Sequence, residues 1–123
     1  MKKDYPSDLS ERLLKFAVEV IKMLGGIENK RELDVLKYQL SKSATSIGAN
    51  YQETQSATRK EFVFKIRICV REALETRYWL RIALALSQVE ESRMKAALKE
   101  NEEIIKILRS ILRRAVPAHS LES

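Results

Sequence analysis

Enzyme chemistry near neutral pH usually recruits an imidazole, an activated thiol or a pair of carboxylates, and this 123-residue chain offers little of each. Its one histidine, His119, follows Pro117 in a polar tail where no element orients it. The one cysteine, Cys69, falls on an apolar helical stripe and reads as a buried, inert thiol. Neither a Ser-His-Asp nor a Cys-His arrangement is therefore available. Glu72 and Glu75, in the segment REALET, have the i, i+3 spacing that carboxylate-rich helical bundles use for metals, and Glu53 stands on the preceding element. No helix supplies the matching imidazole, so these carboxylates read as partners for Arg71, Arg77 or a cation of another subunit. Gly25-Gly26 lacks the following Lys-Ser/Thr of a phosphate loop. The expectation is a protein that is not an enzyme and takes no cofactor or metal.

The remaining chemical signal is positive charge. Lys and Arg outnumber Asp and Glu by 23 to 17, a net charge of +6, which suits a polyanion because cations that neutralise phosphates release counterions. Lys60, Arg67, Arg71 and Arg81 fall on one side of the third helix, with Arg59 and Arg77 nearby. Lys106, Arg109 and Arg113, with Lys99, follow a stripe on the fourth. The planar guanidinium suits phosphate and carboxylate oxygens alike, which leaves both a nucleic-acid backbone and salt bridges between subunits open. Tyr78 lies near the Arg67 and Arg71 side, either as a ring that stacks on a base or as an exposed edge of a helix interface. Nothing encodes base specificity.

These side chains must be positioned by helices. At 45% hydrophobic the chain can bury one core, and its 3 Gly and 2 Pro leave almost nothing to divide it into strands. A single domain over residues 1–117 is expected, followed by a disordered tail over 118–123. No N-terminal run is apolar and long enough for a leader or a membrane span, and a single Cys forms no internal disulfide, which points to a cytoplasmic protein. Four amphipathic segments follow from apolar periodicity and capping pairs. The first starts at Asp8 with Glu11 and carries Leu9, Leu13, Phe16, Ala17, Val20 and Leu24 to Gly25-Gly26. The second starts at Asn29 with Glu32 and carries Leu33, Leu36, Leu40, Ala44, Ile47 and Tyr51 to about Gln55. Thr58 with Glu61 opens the third, from Arg59 to Leu86, whose main stripe is Phe62, Ile66, Cys69, Ala73, Thr76, Leu80 and Leu84. Ser87 with Glu90 begins the last connection, and Met94 to Leu112 form the fourth. Short links make an antiparallel, up-and-down, all-α four-helix bundle the expected fold.

Two features complicate that bundle. Phe64, Ile68, Trp79, Ile82 and Leu86 give the third helix a second apolar stripe, which needs either a neighbouring helix leaning over it or another copy of the chain. Homo-oligomerisation through this stripe is the expectation. The stretch SATSIGANYQET, residues 43–54, keeps helical spacing although Ser, Thr, Gly and Asn form helices poorly. Ala44 and Gly48 make a ridge of small residues that lets helices approach, beside a buried polar layer of Ser43, Asn50, Thr54, Glu72, Glu75 and Thr76 in which Asn50 must find a partner.

Gln39-Leu40, the run Ser43 to Tyr51, Glu53, then Phe62, Lys65, Ile68, Glu72, Glu75-Thr76 and Tyr78-Trp79-Leu80, with DLSERLLKFA near the start, carry a family likeness. The chain resembles the four-helix bundle proteins of 23S ribosomal RNA intervening sequences, the S23 family. The likeness covers the first three helices closely and the fourth by pattern. It is also similar to the accessory variability determinant of diversity-generating retroelements. The resemblance implies a bacterial bundle assembled into a five-subunit ring, associated with nucleic acid and, in the retroelement relatives, with a reverse transcriptase. Lys42 stands where the family commonly has Arg, and Gln52 and Thr54 replace a charged residue and Ala. Residues and resemblance together lead to a non-enzymatic homo-oligomer that binds nucleic acid, structured RNA first, with a protein-protein adaptor as the alternative.

Overall fold

The computed structural model describes residues 5–116, with side chains from Leu9 onward. Four α-helices run in sequence, α1 (Tyr5–Leu24), α2 (Arg31–Gln52), α3 (Arg59–Ala85) and α4 (Glu91–Ala115), with a 3-10 turn, Glu53–Ser56, between α2 and α3. There is no strand among the described residues. Each helix packs on the next, and α1 also meets α4, which closes an all-α four-helix bundle. The final residues, 117–123, and with them His119 and the expected disordered tail, lie outside the described residues.

The helix ends differ from the capping pairs read in the sequence at two of four starts. Asp8 does not cap α1, because the helix begins at Tyr5 and holds Pro6 in its first turn, where a missing N–H breaks no bond. Lys30, not Asn29, stands at the N-cap of α2 and offers no side-chain acceptor; Asn29 Oδ1 instead accepts from Lys37 Nζ at 2.8 Å. Thr58 does cap α3, with Glu61 N–H donating to its Oγ1 and Thr58 N–H donating to Glu61 Oε1, a complete reciprocal pair. The carboxylate of Glu90 caps α4 by accepting from the backbone N–H groups of Ser92 and Arg93. At the end of α3 the N–H of Gln88 reaches Ala83 O and that of Ser87 reaches Leu84 O, a Schellman-type stop that puts Ser87 at φ 55°, a position usually given to Gly.

The core is built from the expected stripes. Leu13, Val20, Leu40, Ile47, Ile66, Leu80, Ile104 and Leu108 are fully enclosed, and Met23 and Ile27 extend the core into the α1–α2 link. The α1–α4 seam is held by ion pairs, Arg12 to Glu100 at 2.6 Å and Arg93 to Glu19 at 3.0 Å. The small-residue ridge works at a different seam from the polar layer beside it. Ala44 is enclosed and Gly48 faces α1, where a Cβ built on it would stand 3.3 Å from Leu13 Cβ. Gly48→Ala should therefore be near neutral by urea denaturation, since about 1 kcal/mol gained in helix propensity meets a contact a few tenths of an ångström too tight. Gly48→Val, which forces α1 outward, should cost about 2 kcal/mol.

Candidate nucleic-acid interface

The buried face of α3 is narrow. Ile66, Cys69, Ala73, Thr76, Leu80 and Ala83 are enclosed, because α2 covers one flank and α4 the other. Everything on the opposite side of the helix faces water, and this sets the position of the cations. Lys60, Arg67, Arg71 and Arg81 are all exposed on that outward side, as are Lys106, Arg109 and Arg113 on α4. The α3–α4 register is fixed by three contacts: Arg59 donates to Ala115 O at 2.9 Å, Asn101 Nδ2 donates to Ala73 O at 3.1 Å, and Arg77 pairs with Glu102 at 3.2 Å. Running antiparallel at that register, Arg67 comes level with Arg109, Arg71 with Lys106, and Lys60 with Arg113. The structure thus brings two separate stripes onto adjoining helices.

Their charge is largely uncommitted. Arg77, read as part of the group, is engaged by Glu102, and Lys106 sits 3.7 Å from Glu103 in an exposed pair of little strength. Lys60, Arg67, Arg71, Arg81, Arg109 and Arg113 form no ion pair with another described residue. The acids of α3 are occupied elsewhere. Glu61 serves the N-cap and Glu75 accepts the Trp79 indole N–H at 3.3 Å. Glu72 lies toward α2, where burial first, and Glu75 second, raise its carboxyl above the usual range.

The second apolar stripe of α3 divides. Ile68, Trp79 and Ile82 are half-buried, with Trp79 and Ile82 resting on the chain's own core. Phe64, 61% exposed, and Leu86, 50% exposed, have no such cover. A further apolar surface was missed in the sequence although its i, i+4, i+7 spacing was there to read. Leu14, Val18 and Ile21 are exposed on α1 and border a groove of about 530 Å³ floored by Gly48 and Ala49 of α2.

The expected polar layer is smaller than its six residues. Ser43, Thr54 and Thr76 are buried, and Thr76 Oγ1 donates to Ser43 Oγ at 2.9 Å across the α2–α3 seam. Asn50 is only half-buried and spends its amide on Ser46 O of its own helix, while Thr54 donates to Tyr51 O. Glu72 and Glu75 are half-buried at the margin of the seam. Their helical phase sets them beside the face that meets α2, which is carried by Cys69, whose thiol donates to Ile47 O at 3.4 Å, and by Thr76. The buried amide is Asn101, whose place in the α4 stripe between Ala97 and Ile104 was visible but whose polarity went unread. Its Nδ2 is satisfied and its Oδ1 has no partner.

Among the described residues no three His, Cys, Asp or Glu side chains come together as metal ligands would. Burial pushes the Cys69 thiol up to about 12.

The model of the family described as 23S rRNA-intervening sequence protein matches residues 7–110. The chain belongs to that family. A solved structure from Bacteroides thetaiotaomicron, described as a protein with unknown function from the S23 ribosomal protein family, is similar to it with 32% identity and a TM-score of 0.77 over 84% of this chain and 96% of that one. No curated protein matches the chain. The S23 bundle is thus confirmed as a fold, while the family description leaves its function open.

Two measurements follow for this S23 protein. With the Cys69 thiolate on the order of 1 part in 10,000 at pH 8, alkylation of the folded protein should be far slower than of the urea-unfolded chain. Replacing Asn101 by Leu, which removes the orphaned Oδ1 and keeps the branched shape of the side chain, should raise stability by about 1 kcal/mol in a urea melt, whereas Asn101→Asp should destabilise strongly.

Proposed function

We propose that this S23 protein is a non-enzymatic, homo-oligomeric bundle that binds nucleic acid, RNA first, through a basic surface repeated on several subunits. The observation that supports it is the uncommitted charge of α3 and α4: Lys60, Arg67, Arg71, Arg81, Arg109 and Arg113 stand on adjoining outward faces and form no ion pair with another described residue, the nearest acid to Arg71 being the half-buried Glu72. Separated like charges in water raise the local potential and favour a polyanion, and contacts repeated around an assembly reinforce one another through effective concentration. Self-association draws on Leu86, together with the half-buried Ile68, Trp79 and Ile82, and on the α1 surface of Leu14, Val18 and Ile21, which leaves the ring of Phe64 free. Two unlike apolar faces on one chain suit head-to-tail packing, the arrangement that closes rings such as the five-subunit one the resemblance implies.

The same apolar surfaces favour a second reading, an adaptor that holds another protein and uses its cations for acidic partners. Fluorescence anisotropy of an RNA hairpin, titrated with the protein across salt, separates the two. Affinity should fall steeply with salt, and Arg67→Gln or Arg71→Gln should each lower the log-log slope by about 1 while sedimentation is unchanged. No binding at low salt with an intact oligomer defeats the nucleic-acid reading. Self-association is probed best by Leu86→Glu, because truncating Trp79 would also remove a ring that rests on the core.

A further inference from the structure

The outward ridge of α3 carries more than charge. In order along the helix its members are Lys60, Phe64, Arg67, Arg71, Tyr78 and Arg81, spaced by turns so that all six point away from the core. Phe64 is 61% and Tyr78 57% exposed, so two aromatic rings stand in water among four cations. Tyr78 meets the Trp79 ring edge to face, with centroids 5.2 Å apart, which braces it. The acids of α3 border this line without pairing with its cations: Glu61 is tied to the cap of α3, Glu75 accepts the Trp79 indole N–H, and Glu72, half-buried toward α2, feels the charge of Arg71 but forms no ion pair with it.

Resting on the nucleic-acid reading above, we propose that this ridge takes an unpaired polynucleotide strand, with Phe64 and Tyr78 stacking on bases and Lys60, Arg67, Arg71 and Arg81 holding phosphates. A duplex keeps its base faces inside its own stack and presents phosphates, so it engages the cations and leaves both rings in water. A single strand uses both kinds of group, because every base has a π-face and stacking tolerates any sequence. A second copy of the ridge is a poor occupant, since it would set cations against cations. From Lys60 to Arg81 the helix rises about 32 Å, and Phe64 and Tyr78 are about 21 Å apart, spans of roughly nine and six stacked nucleotides.

The test uses the full chain, a labelled oligoadenylate of about 12 nucleotides, long enough to span the ridge, and a duplex RNA of the same length. The single strand should bind the tighter. Phe64→Leu and Tyr78→Leu, which keep apolar bulk and remove the π-face, should each weaken single-strand binding by roughly 5- to 100-fold and leave duplex binding unchanged, whereas Arg67→Gln weakens both. Emission from Trp79, the single Trp of the chain, should change when oligoadenylate binds and cease to respond in Tyr78→Leu. An oligodeoxyadenylate binding within a few-fold supports the proposal too, as ring faces read no 2′-hydroxyl. If duplex and single strand bind alike and both Leu variants behave as wild type, the strand inference fails while the nucleic-acid reading stands. If neither RNA binds at low salt, both fail. A changed sedimentation mass in Phe64→Leu assigns that ring to a subunit contact and overturns the proposal.

Discussion

The close seam between α2 and α3 is the constraint on which the rest depends. Ser43 and Ile47 of α2 meet Thr76 and Cys69 of α3, and these compact side chains let the backbones approach until the Cys69 thiol reaches a carbonyl of the opposite helix. The Thr76–Ser43 hydrogen bond marks the register across the seam, although each hydroxyl also lies within reach of a carbonyl of its own helix, Glu72 O at 2.8 Å and Leu40 O at 3.4 Å. With α2 pinned on one flank and α4 on the other, only a narrow face of α3 is enclosed. Its outward ridge is left to water, and that is where the cations and two aromatic rings stand.

Polar groups in this bundle show how proximity to a seam decides their role. Inside it, short hydroxyls pair. At its margin, Asn50 turns back to its own helix and Glu75 accepts from Trp79, so neither is enclosed. Asn101 differs in being enclosed with one acceptor unmet, the one such buried side-chain atom among the described residues. Its donor fixes α4 against Ala73 and so shares in the register that sets Arg67 beside Arg109.

Helical periodicity made most of the core legible. Leu13, Leu40, Ile66 and Leu80 had to be inside, as apolar residues recurring with a 3.6-residue period bury on one face of a helix. Helix starts were less legible, because capping depends on backbone geometry that several polar residues can satisfy: Thr58 capped, Asp8 and Asn29 did not, and a glutamate at position 90 served α4. The cations of the candidate interface could be placed on two helices, but not shown to be without partners, since that turns on which acids face them from other elements.

By itself the sequence determined the four helices, their apolar stripes, the excess of positive charge and the family, since each is written in residue types at short spacing. Tertiary structure decided which of two apolar stripes on α3 is enclosed, that Gly48 meets α1 while Ser43 meets α3, and that Arg77 is paired while Arg67 and Arg71 are not. Those outcomes depend on helix register and on side chains far apart along the chain, and local spacing carries no information about either.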